Sequence, residues 1–181
     1  MSLRKARAYL TIGLQLLSVL TVIKQVTPTI RLNNIRCQSR NTSIIQIDYC
    51  HIKAVRRDFK EVSFKLCVLK RPIRKAMINV KFLKRTNGYK PFMRDMKVDA
   101  CSYLQKRNNF ILNALMNVLE KSSNMNHTCP YDHDLIVEKL HFTDIDFRWI
   151  PFPHGDYAFQ TDFVFDGVEA AQMELFLSIM N

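Results

Sequence analysis

Alternation of apolar and polar side chains dominates this chain. Val62, Phe64, Leu66 and Val68 alternate with Ser63, Lys65, Cys67 and Leu69, the period of a strand with one buried face. Ile78, Val80 and Phe82 repeat the pattern against Asn79, Lys81 and Leu83, and Asn87-Gly88 follows as a hairpin-type turn. Tyr157, Phe159, Thr161, Phe163 and Phe165 face one way, opposite Ala158, Gln160, Asp162 and Val164. After the Asp166-Gly167 turn, Ala171, Met173, Leu175, Leu177 and Ile179 line one face of the last strand. Residues 44–50 and 135–142 read as further strands, and 92–98 as a weaker one. One segment breaks the rule. Over 109–121 the apolar residues Ile111, Leu112, Leu115, Met116, Val118 and Leu119 recur at helical spacing, with Asn113, Asn117 and Lys121 on the polar side. That wide arc fits either plain core packing or a lid over a cavity between sheets. About seven or eight short strands without repeat or composition break predict an all-β, antiparallel two-sheet, immunoglobulin-like sandwich with one amphipathic helix.

The amino-terminal segment changes the compartment. Arg4, Lys5 and Arg7 precede an uncharged apolar run from Ala8 to Ile23, the arrangement of a secretory signal peptide. The run is shorter than the ~20 residues a membrane helix prefers. Residues 1–25 are therefore predicted as a signal peptide, its boundary loose between Ser18 and Thr27, and 26–181 as one ligand-binding domain. The composition, 48% apolar and 24% charged over 181 residues, supports a packed core and excludes wholesale disorder. Net charge is +11, and removing Arg4, Lys5, Arg7 and Lys24 leaves 23 basic against 16 acidic residues, about +7. This charge bears on partners rather than fold.

Export makes cystine the expected state of the five cysteines, Cys37, Cys50, Cys67, Cys101 and Cys129. Four of them allow three connectivities, among which spacing does not choose. No close pair such as C-x-x-C is present, which argues against zinc. The odd cysteine is either a buried thiol or an intermolecular bridge. Two sequons, at Asn41 and Asn126, agree with an exported route and mark candidate glycosylation sites.

Candidate chemistry is sparse. The densest polar cluster is His127, Cys129, Asp132, His133 and Asp134; its spacing matches no metal-ligand pattern, and its carboxylates read as turn and strand-entry residues. Asp144 and Asp146 share a face on a strand and read as solvated residues. There is no G-x-S-x-G elbow, P-loop or dinucleotide fingerprint. No catalytic residue, metal or cofactor is predicted. The basic stretches 53–60, 70–75 and 81–90 lack the aromatic interleaving of RNA-binding surfaces, so nucleic acid is not an expected partner. They read as solvated loops, or as surfaces for anionic lipid headgroups or glycans.

Longer motifs carry a resemblance. Residues 83–92 (LKRTNGYKPF), Val98-Asp99-Ala100-Cys101, 123–134 (SNMNHTCPYDHD) and 151–157 (PFPHGDY), with Asn34-Ile35-x-Cys37 and Tyr49-Cys50, closely resemble a large insect family of small secreted proteins. That family is catalogued mostly as a domain of unknown function, includes the CheB chemosensory proteins, and is similar to the ML-type lipid-recognition sandwiches of the ganglioside-activator kind. The resemblance spans nearly the whole mature chain. It implies a sandwich holding a lipid or hydrocarbon between its sheets, extracellular action, and a role in pheromone perception for CheB-like members. Cys37, Cys50, Cys101 and Cys129 match its motifs, with implied pairs Cys37–Cys50 and Cys101–Cys129; Cys67 does not match.

The expected lining of such an interior is Phe64, Val80, Phe82, Phe92, Leu115, Leu119, Phe159, Phe163 and Leu175. The expected function is a secreted, non-catalytic binder of an apolar small molecule, a lipid or a cuticular-hydrocarbon or pheromone-like compound, with a membrane receptor as a second partner. The alternative is an extracellular co-receptor or interaction module without a small ligand. Oligomeric state is left open.

Overall fold

A computed structural model describes residues 29–57, 59–142 and 152–180. The expected signal peptide, Asp144 and Asp146 lie outside the described residues. The chain forms β1 (Thr29–Ser39), β2 (Ile45–Arg56), β3 (Phe59–Val68), β4 (Ala76–Thr86), β5 (Gly88–Pro91), β6 (Met96–Asp99), α1 (Ala100–Lys106), α2 (Phe110–Leu119), β7 (Leu135–Leu140), β8 (Gly155–Phe165) and β9 (Val168–Met180). These build the expected all-β antiparallel sandwich. A wide sheet of six strands runs β1-β9-β8-β4-β5, with β6 also on β4, and a narrow sheet of three runs β2-β3-β7. No described helix is long and apolar enough to cross a membrane.

The alternating strands bury the predicted faces. Val62, Phe64, Leu66 and Val68 of β3 oppose Tyr157, Phe163 and Phe165 of β8 and Leu175, Leu177 and Ile179 of β9 in one core. Strand β1 is absent from the expectations. Its apolar residues are Ile30, Leu32, Ile35 and Cys37, and a β-bulge between Leu32 and Asn34 breaks the two-residue period. The bulge lets Leu32 and Ile35 both face inward although they are three apart.

Three other expectations are corrected. The strand expected over 92–98 is formed only at its end: β6 pairs with the near end of β4, β5 precedes the expected segment and pairs with the far end of β4, and residues 93–95 leave the sheet between them. The expected single helix has a short companion, α1. Asp99 caps α1, its side chain accepting the Ser102 amide at 3.0 Å, and Arg107 ends it in the left-handed region. Lastly, the predicted helix over 109–121 is one or two residues shorter at each end.

The two helices form a hairpin. Tyr103 donates its hydroxyl to Asn113 Oδ1 at 2.8 Å, Asn113 donates to the Arg107 carbonyl at 3.0 Å, and Arg107 pairs with Glu120. The α1 helix packs against β4 and β6 of the wide sheet, and α2 against β7 of the narrow one. Disulfide Cys101–Cys129 ties α1 to the segment before β7, and Cys37–Cys50 ties β1 to β2. These are the pairs the resemblance implied. Both join the wide-sheet side of the molecule to the narrow-sheet side.

Cys67 is a free thiol on the outer face of β3, opposite Gln46. A thiol titration of the denatured, unreduced protein is expected to find one thiol, and peptide mapping to recover both disulfide pairs. Closure of a 28-residue separation predicts a stability loss of about 3.6 kcal/mol for the Cys101→Ser, Cys129→Ser double variant in urea unfolding. Asp99→Ala is expected to cost about 1 kcal/mol as a lost cap. The Ser102 amide holds the Asp99 carboxyl below its ordinary pKa. Its contribution is therefore present above the ordinary carboxylate range and fades as pH falls through the lowered value. The difference between wild type and Asp99→Ala should shrink accordingly at acid pH.

Candidate functional site

Sheet register places the expected lining residues in a pattern. Phe82 pairs with Phe159, Phe159 with Leu175, and Leu175 with Ile35, a continuous apolar row across β4, β8, β9 and β1. Phe163 lies two steps along the same face, past Thr161 and beside Ile78. Phe163, Leu175 and, from the narrow sheet, Phe64 are buried in the common core. Toward β4 the face is less covered: Ile78, Val80, Phe82, Met96, Val98 and Phe159 are all half-buried. Leu115 and Leu119 of α2 are half-buried too, Leu119 bordering the core. Burial thus grades from complete beneath the narrow sheet to partial beyond it.

At the far end of β4 this face turns aromatic. Phe82 meets Phe159 edge-on at 5.4 Å, Phe152 lies 6.1 Å from Phe159, and Phe92 reaches Phe152 and Tyr157 at 6.1 and 5.6 Å. Such offset ring contacts stabilise beyond simple area burial. Tyr157 is fully buried, with its hydroxyl donating to the Pro153 carbonyl. Lys84 lies across the edge of the group, its ammonium 5.6 Å from the Phe92 ring and 5.5 Å from Tyr157. Gly155 makes room for it: φ is +143°, and a Cβ there would meet Lys84 Cε at 3.0 Å. The result is an apolar tract ending in aromatic rings and one cation.

Ile78, Met96, Val98, Phe152, Tyr157 and Lys84 are additions to the sequence-expected lining. Tyr157 and Ile78 carried a signal, since they share the alternating faces already recognised. Lys84 carried none, because only its register opposite Tyr157 brings it to the rings. A separate open depression of about 350 Å³ lies between β1 and β2, bordered by Asn33, Asn34, His51 and Lys60 beside Cys50. It is polar and includes none of the expected lining residues.

The His127–Asp134 cluster is pulled into local structure. Cys129 is in its disulfide. Asp134 accepts the Val68 amide at 3.0 Å and pairs with Arg71 at 2.5 Å. His127 and His133 place their Nε2 atoms 2.9 Å apart, and Asp132 is exposed. Among the described residues, no group of three or more His, Cys, Asp or Glu is placed to hold a metal. Of the two sequons, Asn126 is exposed in this loop, while Asn41 is half-buried and accepts the Ser43 amide in a local turn.

Residues 78–159 match the family described as Protein of unknown function (DUF1091). No curated protein matches the chain. The matched stretch is similar to an uncharacterised family. It runs from β4 into β8, so it contains the helical hairpin, the Cys101–Cys129 disulfide, Phe82, Lys84, Phe92 and Phe159.

Two tyrosines, Tyr131 before β7 and Tyr49 on β2, have strongly raised pKa values. Burial pushes Tyr131, packed beside His127 and His133, up to about 12, and the hydrogen bond to Glu138 does the same for Tyr49. Both are neutral in the fold where the unfolded chain ionises, so their stabilising contribution is complete below pH 10 and is lost between about 10 and 12. Burial raises Tyr103 as well, so ultraviolet titration should show three tyrosines ionising late, and Tyr131→Phe should remove one of them.

Proposed function

We propose that this protein is a secreted, non-catalytic carrier of an apolar small molecule held on the inner face of its wide sheet, where that face runs past the narrow one. The observation that carries the reading is the half-buried apolar tract of the wide sheet, Ile78, Val80, Phe82, Met96, Val98 and Phe159, beyond the reach of a narrow sheet of three strands. The helical hairpin lies on that side and touches both sheets, in the position of a lid. Two disulfides fit an extracellular setting. An apolar guest on such a surface gains roughly 25 cal/mol per Å² removed from water, and few polar groups would be needed to orient it.

The resemblance to CheB chemosensory proteins and ML-type lipid-recognition domains supports the same reading and extends it to lipid, cuticular-hydrocarbon or pheromone-like ligands in chemosensory perception. Lys84, over Phe92 and Tyr157 at the end of the tract, suits a ligand with a polar or anionic head and an apolar tail.

Displacement of a fluorescent fatty acid by unlabelled lipids and long-chain hydrocarbons tests this. The wild-type chain should bind the probe stoichiometrically. Val80→Trp, which adds bulk to the tract, and Leu119→Trp, which adds bulk to the helical hairpin, should weaken binding about tenfold or more, equivalent to ~1.4 kcal/mol, with native-like circular dichroism. Lys84→Met should reduce affinity for the fatty acid and leave an uncharged hydrocarbon competitor unaffected. A folded wild-type protein that binds no apolar probe overturns the proposal.

A further inference from the structure

The ends of the sandwich differ in how they treat their basic residues. Lys60 donates to the Leu32 carbonyl at 2.7 Å, so the start of β3 lies beside the start of β1. Register carries that end through Ile30–Ile179, Gly155–Ile179 and Tyr157–Lys84 to the end of β4. The β2–β3 and β4–β5 hairpins therefore share one end of the molecule.

Both hairpin tips combine cations with exposed apolar side chains. On the first, Val55 is 46% exposed between Ala54 and exposed Arg56 and Arg57. On the second and the turn after it, Tyr89, Phe92 and Met93 are 39%, 37% and 45% exposed. Residues 84–97 there hold Lys84, Arg85, Lys90, Arg94 and Lys97 against Asp95 alone. Arg85 reaches Asp156 at 3.6 Å, whereas among the described residues no acidic side chain pairs with Arg57, Lys90 or Arg94. At the opposite end carboxylates stand among the basic residues. Arg71 pairs with Asp134 at 2.5 Å, and the backbone amides of Arg74 and Lys75 hold the Asp166 carboxylate beside them.

We propose that this end, led by Phe92, Met93, Lys90 and Arg94, docks on an anionic membrane surface. Exposed aromatic and thioether side chains partition into the headgroup boundary, and surrounding lysines and arginines are attracted to acidic lipid there. A polyanionic glycan would use the charge but has no use for two neighbouring exposed apolar side chains. The inference goes beyond the carrier reading, since it concerns the outer rim and stands whether or not the interior holds a ligand.

Flotation with lipid vesicles tests it. The expected mature chain, residues 26–181, should float with phosphatidylserine-containing vesicles, stay behind with pure phosphatidylcholine, and be released by about 0.5 M salt, where screening is nearly complete. The Lys90→Glu, Arg94→Glu pair should weaken binding about tenfold or more, and Phe92→Ser, Met93→Ser should also weaken it. Lys70→Glu, Arg74→Glu at the other end should bind like wild type. The proposal is overturned by absence of flotation with anionic vesicles, by equal effects of the charge reversals at the two ends, or by retention on heparin without flotation. Circular dichroism of every variant separates lost docking from lost fold.

Discussion

The inner face of the wide sheet must be kept from water by fewer strands than build it. Six strands present apolar side chains inward and three strands face them. Where the sheets overlap, burial is complete, and Val62, Leu66, Phe165 and Leu177 form close-packed interior. Past β8 the pairing runs out. There the chain supplies the helical hairpin, held on the wide sheet by α1 and on the narrow one by α2. Much of the molecule answers that mismatch: the Asp99 cap, the Tyr103–Asn113 hydrogen bond, the Arg107–Glu120 pair and the Cys101–Cys129 disulfide all fix the hairpin in place. A second tie, Cys37–Cys50, joins the sheets at the β1–β2 edge. The proposed carrier function is one use of this geometry, because two sheets tied at one edge and bridged by helices at the other can separate without losing their own hydrogen bonding.

Strands with strict alternation are legible in the amino-acid sequence. Residues 62–68, 157–165 and 171–179 show their buried face directly, since nothing interrupts their period. Strand β1 is hidden by its bulge, which places inward-facing Leu32 and Ile35 three residues apart. The 92–98 segment misleads for a different reason. Strand β5 before it and β6 at its end both pair with β4, but at separate ends of that strand, and the turn between them carries Phe92 to the aromatic group. Helix α1 is seven residues long, too short for a periodic pattern, and its start depends on a single capping aspartate.

The aromatic members of the site are readable as apolar strand residues, but their grouping is not. Phe82 and Phe159 meet because of register, and Phe92 and Phe152 join them from turns. Lys84 illustrates the limit most clearly, being an ordinary cation in a basic stretch until β8 sets Tyr157 opposite it. Similarity to an uncharacterised family covers this same half of the chain, which places the hairpin, its disulfide and the aromatic group within one related unit.

Native mass spectrometry of the protein secreted from eukaryotic cells, before and after extraction with organic solvent, addresses the central claim most directly. The carrier account predicts a population heavier than the disulfide-bonded, deglycosylated chain by the mass of a lipid or hydrocarbon, removed by extraction and restored on incubation with the extract. A single unliganded mass throughout, from protein that is folded and takes up no lipid or hydrocarbon on incubation, would contradict it.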